Sequence, residues 1–89
     1  MQFPDEVVDD VQRRLRRIEG ELRTLQRLLA DGEECRDVVA QLADVRAALD
    51  HTAYRLLAST LRQCIAEPEQ AEAAGLDADA VEKLFLKLA

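Results

Sequence analysis

Apolar residues recur every three to four positions along most of this chain, which is the period of an α-helix. In the first third they follow a 4-3-4-3-4 spacing typical of a helix packed in a bundle, at Val11, Leu15, Ile18, Leu22, Leu25 and Leu29. Asp31 and Gly32 follow this stripe, and glycine is a common residue just beyond the end of a helix. The pattern predicts a first helix over residues 5–30.

A second and longer apolar stripe predicts a helix from about Glu33 to about Glu67. Its central positions are Val38, Leu42, Val45, Leu49, Leu56 and Ile65, and Val39, Ala53, Leu57 and Leu61 widen it. Pro68 is expected to end this helix, and residues 67–76 are expected to form an acidic loop. Asp77 is a suitable N-cap for a short third helix that ends at Leu88.

Two long helices and one short helix leave too little chain to cover both stripes. We therefore expect residues 1–89 to form one all-α domain that pairs with a second copy as an antiparallel four-helix bundle. The composition agrees with an all-helical fold, because 48% of the residues are apolar while only three are glycine and two are proline. No apolar stretch is long enough for a membrane span, and the acidic N-terminus does not resemble a signal peptide. A cytoplasmic protein is the expectation.

The charge is unevenly distributed. A net charge of −6 argues against bulk attraction to nucleic acid or to an anionic membrane. Four arginines nevertheless fall within five positions, at Arg13, Arg14, Arg16 and Arg17, and we call them the arginine cluster. Such a local basic face is compatible with binding to DNA phosphates. The alternative is a solvated surface with ion pairs, for example between Arg17 and Glu21.

The two cysteines, Cys35 and Cys64, are 29 residues apart within the predicted second helix. A continuous helix would separate them by about 43 Å. A disulfide requires Cα atoms within about 7 Å, and a shared metal requires both sulfurs at about 2.3 Å. If the thiols act together, they must therefore do so between two chains. The simplest arrangement pairs two antiparallel copies of the helix, with Cys35 of one beside Cys64 of the other and the symmetry axis near Leu49 and Asp50. The alternative is that each cysteine is a small buried hydrophobic residue.

Three segments carry a resemblance to a known family: RRLRRIEGE at 13–21, VVAQLADVRAALD at 38–50 and TLRQC at 60–64, with an acidic turn and Cys35 between the first two. Together they resemble the copper-sensitive operon repressor and formaldehyde repressor family (CsoR/FrmR) over nearly the whole chain. The resemblance implies a disc-shaped tetramer, a dimer of dimers, that binds operator DNA without a helix-turn-helix. It also implies that an inducer at an intersubunit cysteine site releases the DNA, and that Arg46 belongs to the DNA-binding face.

Copper sensors of this family carry a histidine four residues before the second cysteine. Here that position is Thr60, and a hydroxyl is a poor ligand for a soft metal. Two further positions, a tyrosine before the first cysteine and a glutamate on the third helix, are Glu34 and Lys83 in this chain. Formaldehyde sensors need a proline as residue 2, exposed after removal of Met1, whereas residue 2 is Gln here and the first proline is Pro4. Nickel or cobalt sensors need several histidines, whereas this chain has only His51.

Two thiols without an intervening histidine are similar to the persulfide-sensing branch of the family (CstR-like). This implies a repressor without a resident metal or cofactor, in which Cys35 and Cys64 of the partner subunit are bridged by sulfur when a persulfide or polysulfide is present. A Cu(I) sensor that uses the same two thiolates is the alternative. An enzyme is not expected, because the chain lacks CxxC and a glycine-rich phosphate loop. A helical scaffold without a DNA partner would not need the arginine cluster.

Overall fold

The computed structural model describes all 89 residues and contains four α-helices and no strand. These are α1 (Asp5–Ala30), α2 (Cys35–Ala66), α3 (Pro68–Ala73) and α4 (Ala78–Leu88). The all-α prediction is confirmed. The prediction of a loop over 67–76 is wrong for residues 68–73. Proline is tolerated at the first position of a helix, because its fixed φ suits that site and its N–H is not needed there.

Helices α1 and α2 form an antiparallel hairpin. Cross-contacts run in opposite chain directions: the Gln63 side chain donates to Gln2 O at 2.9 Å, and the Gln41 side chain donates to Glu21 O at 3.5 Å. Gly32 makes the reversal possible, with φ of +67° in the left-handed region that favours glycine. The first residues after α1 then satisfy its free carbonyl groups, with the Glu33 N–H donating to Leu28 O at 3.1 Å.

The core of the single chain is small, because two helices side by side form only one layer. The chain measures 54 × 25 × 14 Å, so its thinnest dimension is little more than one helix diameter. Eight of the 89 residues are buried: Val7, Val11, Ile18, Val45, Thr52, Leu57, Ser59 and Ala71. The predicted stripes are thus confirmed along the seam between α1 and α2. Some of their other members are half-buried, and others, among them Leu22, Leu29, Leu42, Leu49 and Ile65, are exposed on the open side of the layer.

Helix α4 returns along the end of α2. Its N-cap is Asp77 as predicted, with a side-chain oxygen that accepts the Ala80 N–H at 2.8 Å. Among the apolar side chains of α4, Val81 is half-buried, whereas Leu84, Phe85 and Leu88 are 43%, 48% and 42% exposed. The exposed apolar side of α2 and α4 is the surface that the predicted four-helix dimer would cover. None of the four helices is long and apolar enough to cross a membrane.

Candidate functional site

The unbroken helix α2 carries both thiols on one face. Cys35 is its first residue and Cys64 lies in its last turn, with 29 residues between them. This interval equals about eight full turns and about 43 Å along the axis, so the side chains point in nearly the same direction from opposite ends. Both thiols are free; Cys35 is exposed and Cys64 is half-buried. Within one chain they cannot meet.

Apolar side chains occupy the same face between the two thiols. Counting from Cys35 in steps of seven residues leads to Leu42, Leu49 and Leu56, which therefore form a continuous seam. Leu42 is 52% exposed and Leu49 is 45% exposed in the single chain, whereas Leu56 is half-buried. An exposed leucine seam with a cysteine near each end has the form of a surface for pairing with another helix.

Cys64 opens onto an apolar groove of about 720 Å³ between the end of α2, α3 and α4. Its sulfur lies 3.8 Å from Leu76 O, a distance that suits a weak S–H donor. The walls are mainly apolar, with Leu57, Leu61, Ile65, Ala71, Val81 and Phe85 among them, whereas the charged lining residues Glu72, Asp77 and Glu82 are all acidic. The sequence had placed this thiol in a helix but gave no sign of the groove beside it.

Thr60 lies one turn before Cys64 and is half-buried. Its hydroxyl donates to Leu56 O at 3.0 Å, a bond within its own helix. The N-terminal segment also reaches this place, since Met1 and Phe3 share a cavity of about 220 Å³ with Thr60. No group of three or more His, Cys, Asp or Glu side chains converges within the chain. A metal bound by both thiols would therefore draw its ligands from two chains.

The arginine cluster lies exposed on α1, and most of its members have an acidic neighbour. Arg14 Nε is 3.0 Å from an Asp10 oxygen, and Arg13 is 3.8 Å from the same carboxylate. Arg17 Nε is 3.8 Å from Glu21, the pair that the sequence offered as an alternative role. The side chains remain accessible, with Arg13 71% and Arg17 85% exposed. Arg16 is exposed and has no ion pair in the chain.

Asp10 is the centre of these contacts and was missed by sequence reasoning. Besides Arg13 and Arg14 it contacts Arg55 of α2, whose Nε lies 3.4 Å from its carboxylate. The hydrogen bond from Arg14 is the largest cause that lowers the pKa of Asp10 below its usual range. Burial is the second-largest influence and acts in the opposite direction, and the positive charges of Arg14, Arg55 and Arg13 each lower the pKa further. The pair between Asp10 and Arg55 is the only ion pair that joins α1 to α2.

Arg46 lies apart from the arginine cluster. It follows Cys35 by 11 residues, or about three turns, so it shares the face of the thiols and the leucine seam. A groove of about 250 Å³ is lined by Arg14 and Arg17 together with His51 and two smaller α2 residues, Ala48 and Thr52. Arg46 is exposed, and its part in DNA binding stays a prediction.

A family comparison gives this arrangement a class. The model of the metal-sensitive transcriptional repressor family matches residues 8–87, and the chain belongs to that family. The family resemblance read from the three sequence segments is thereby confirmed. Its members are transcriptional repressors, which is consistent with the expectation that the chain is not an enzyme.

Two curated relatives are similar to this chain. It is 34% identical to the copper-sensing transcriptional repressor CsoR of Bacillus subtilis over 59 residues, which cover 66% of this chain and 58% of the relative. It is 37% identical to the copper-sensing transcriptional repressor RicR of Mycobacterium tuberculosis over 57 residues, which cover 64% of this chain and 59% of the relative. The chain thus spans somewhat under three fifths of the length of these relatives. No solved structure matches it.

Proposed function

We propose that this chain is an operator-binding repressor that forms an antiparallel dimer and then a tetramer, and that its inducer acts where Cys35 meets Cys64 of the partner subunit. The observation that carries this proposal is the unbroken α2 with two thiols about eight turns apart on one face. When two α2 helices pair in antiparallel orientation and in register, Cys35 of each chain lies opposite Cys64 of the partner subunit. The leucine seam between them supplies the apolar contact that such a pairing requires.

The inducer that we propose is a persulfide or polysulfide. The Cys35 thiolate attacks the outer sulfur of a persulfide, takes up that sulfur and releases the donor thiolate. The thiolate of Cys64 of the partner subunit then attacks the inner sulfur of the Cys35 persulfide and expels hydrosulfide, which leaves a disulfide. If Cys64 has itself accepted a sulfur, the same displacement of hydrosulfide leaves a trisulfide. Two thiols are oxidised, and sulfane sulfur is reduced.

Two features support sulfur chemistry over metal binding. Copper sensors of the resembled family have a histidine four residues before the cysteine that corresponds to Cys64. Here that residue is Thr60, whose hydroxyl donates a hydrogen bond to a carbonyl of its own helix. The only histidine, His51, lies beside Arg14 and Arg17, away from the thiol face. Neither side chain offers the third soft or nitrogen ligand that would complete a metal site with two thiolates.

Cu(I) is the second candidate inducer, and a specific observation favours it. Both similar relatives are named as copper-sensing repressors. Thiolates are soft ligands that select Cu(I), so the same pair of cysteines could hold this ion between two chains. The acidic side chains around the Cys64 groove would attract a cation more than an anionic persulfide.

One experiment separates the two inducers. A DNA duplex is first selected by the wild-type protein from a random-sequence pool and labelled with fluorescein, and we call it the selected duplex. Reduced protein bound to the selected duplex is then treated in parallel with sodium tetrasulfide and with Cu(I) buffered by a competing chelator. We expect tetrasulfide to release the DNA and to give a covalent dimer on a non-reducing gel. Mass spectrometry should find Cys35 joined to Cys64, with zero or more additional sulfur atoms, and reduction should restore DNA binding.

The controls are Cys35→Ala and Cys64→Ala, neither of which should form this covalent dimer. If Cu(I) released the DNA at concentrations buffered by the chelator while tetrasulfide had no effect, copper would replace the persulfide as inducer. A wild-type protein that remains a folded monomer at micromolar concentration in sedimentation would refute the intersubunit site itself.

The DNA-binding role is tested separately through the arginine cluster. Contacts to phosphates release counterions, so Arg14→Ala with Arg17→Ala should reduce the slope of log affinity against log salt by about 1.8. Lys87→Ala, which removes a positive charge on α4, is the matched control and should leave the slope unchanged. Equal slopes for the wild type and the double variant would remove these arginines from the DNA interface.

A further inference from the structure

Asp10 is shared by three arginines from two helices. Arg14 and Arg13 belong to α1, and their nitrogens lie 3.0 and 3.8 Å from the carboxylate. Arg55 belongs to α2, and its Nε lies 3.4 Å away. The Asp10 and Arg55 side chains are only 28% and 29% exposed, whereas Arg14, which makes the shorter contact, is 45% exposed and Arg13 is 71% exposed. The pair between Asp10 and Arg55 is therefore the more shielded one, and water competes with it less.

The charge of this cluster depends on Arg55. Three guanidinium groups and one carboxylate carry a net charge of +2, and Arg55 alone is enough to neutralise Asp10. By this count of charges, Arg13 and Arg14 present a combined charge of +2 to an anion. Without Arg55 the carboxylate would be shared by Arg13 and Arg14 only, and their combined charge would fall from +2 to +1. The position of α2 thus sets how much positive charge α1 presents.

Helix α2 also connects this cluster to the thiols. Arg55 and Cys64 are nine residues apart, which is two and a half turns, so they point to opposite sides of the same helix about 13 Å apart along its axis. Arg55 faces α1, and Cys64 faces the groove formed with α3 and α4. A shift of this part of α2 toward the thiol side would withdraw Arg55 from Asp10.

We infer that Asp10 is a positioning residue for the DNA-binding arginines, and that Arg55 controls how much of its negative charge they experience. While Arg55 holds Asp10, the carboxylate orients Arg14 but does not compete with phosphate. When Arg55 is withdrawn, Asp10 retains Arg13 and Arg14 and weakens their hold on DNA. This inference rests on the proposed DNA-binding role of the arginine cluster, and it adds a group that neither touches DNA nor binds the inducer.

A double-mutant cycle on reduced, full-length protein tests the inference, with affinity for the selected duplex measured by fluorescence anisotropy over a series of salt concentrations. Arg55→Gln mimics the withdrawal of Arg55 and should weaken binding roughly three- to tenfold, with a salt slope smaller by about 0.9. Asp10→Asn keeps an oxygen that accepts from Arg14 but removes the charge. Alone it should change affinity by less than about twofold, because Arg55 already neutralises the carboxylate.

The double variant decides the outcome. In the Arg55→Gln background, Asp10→Asn should restore most of the lost affinity and the wild-type salt slope. Arg55→Lys, which keeps the charge, should bind like the wild type. Additive effects of the two changes would overturn the inference and identify Arg55 as an ordinary phosphate contact.

A further comparison does not depend on the folding of Arg55→Gln. If Asp10→Asn alone strengthened binding by threefold or more, Asp10 would be competing with phosphate in the wild type, and Arg55 would not be its controlling partner. Circular dichroism of each variant identifies any loss of helix. A wild-type protein that selects no duplex would instead refute the proposed function, and the inference with it.

Discussion

Leu49 lies at the centre of the leucine seam and provides a quantitative test of assembly. It falls within one residue of the midpoint between Cys35 and Cys64, so in the proposed dimer it packs near the two-fold axis. We expect Leu49→Ala to weaken dimerisation without disturbing the fold of the single chain. Alanine has the highest helix propensity, and the Leu49 side chain is already 45% exposed in one protomer.

The magnitude follows from the surface that remains to be covered. Full burial of a leucine side chain contributes about 1.5–3 kcal/mol, and the 45% of Leu49 that is exposed therefore accounts for about 0.7–1.4 kcal/mol. A two-fold interface contains the residue twice, which gives about 1.4–2.7 kcal/mol per dimer. We expect the dissociation constant of the dimer to rise about 10- to 100-fold.

Sedimentation equilibrium of reduced protein over a range of concentrations measures this change. The matched control is Leu86→Ala, which removes an equally large side chain that is 63% exposed on α4 and lies outside the apolar pattern of that helix. The control should leave association unchanged. A Leu49→Ala protein that associates as tightly as the wild type would refute the antiparallel seam, and with it the meeting of the two thiols.

Three further predictions concern the single chain. Val45→Ala, at a side chain that is 2% exposed, should lower the free energy of unfolding by about 2–3 kcal/mol in urea titrations, whereas Val39→Ala, at a position 64% exposed in one chain, should cost much less. Asp77→Ala removes the N-cap of α4 and should cost about 1 kcal/mol, seen as faster amide exchange confined to α4. Because the pKa of Asp10 is lowered in the folded state, its ion pairs contribute fully to stability above the usual value of 3.8, and this contribution is lost as the pH falls from 3.8 through the lower folded-state pKa. The stability difference between wild type and Asp10→Asn should therefore shrink below pH 3.8, and a constant difference down to pH 2 would contradict this.

The long helices were predictable because their signal is periodic and local. The apolar positions along α1 and α2 repeat with one helical period, so errors at single residues do not change the interpretation. Helix α3 was missed for the opposite reason. Pro68 and its acidic neighbours indicate the end of a helix, and the same proline is also suited to begin one. Only the geometry of the chain beyond residue 67 distinguishes the two roles.

The candidate site also has one part that local sequence could predict and another that it could not. The common face of Cys35 and Cys64 follows from the helical repeat alone, and the structure agrees with it. The pair between Asp10 and Arg55 joins residues 45 positions apart, and it depends on which sides of α1 and α2 face each other. The spacing of Asp10 four residues before Arg14 was a local sign that Asp10 pairs with the arginine cluster.

The small core bears on how a signal could pass between the two sites. One layer of helices with eight buried residues holds α1 against α2 weakly, so much of the stabilisation of a dimer would come from the exposed face of α2. A bond between thiols acts on that same face. The position of α2 would then depend on two opposing sets of contacts: the bond between thiols on one face, and the contacts with α1 on the other. Among the contacts with α1, the pair of Arg55 and Asp10 is the only ion pair. A chain with a deep core would resist such a shift, whereas this chain can respond to it with a change in the charge that α1 presents.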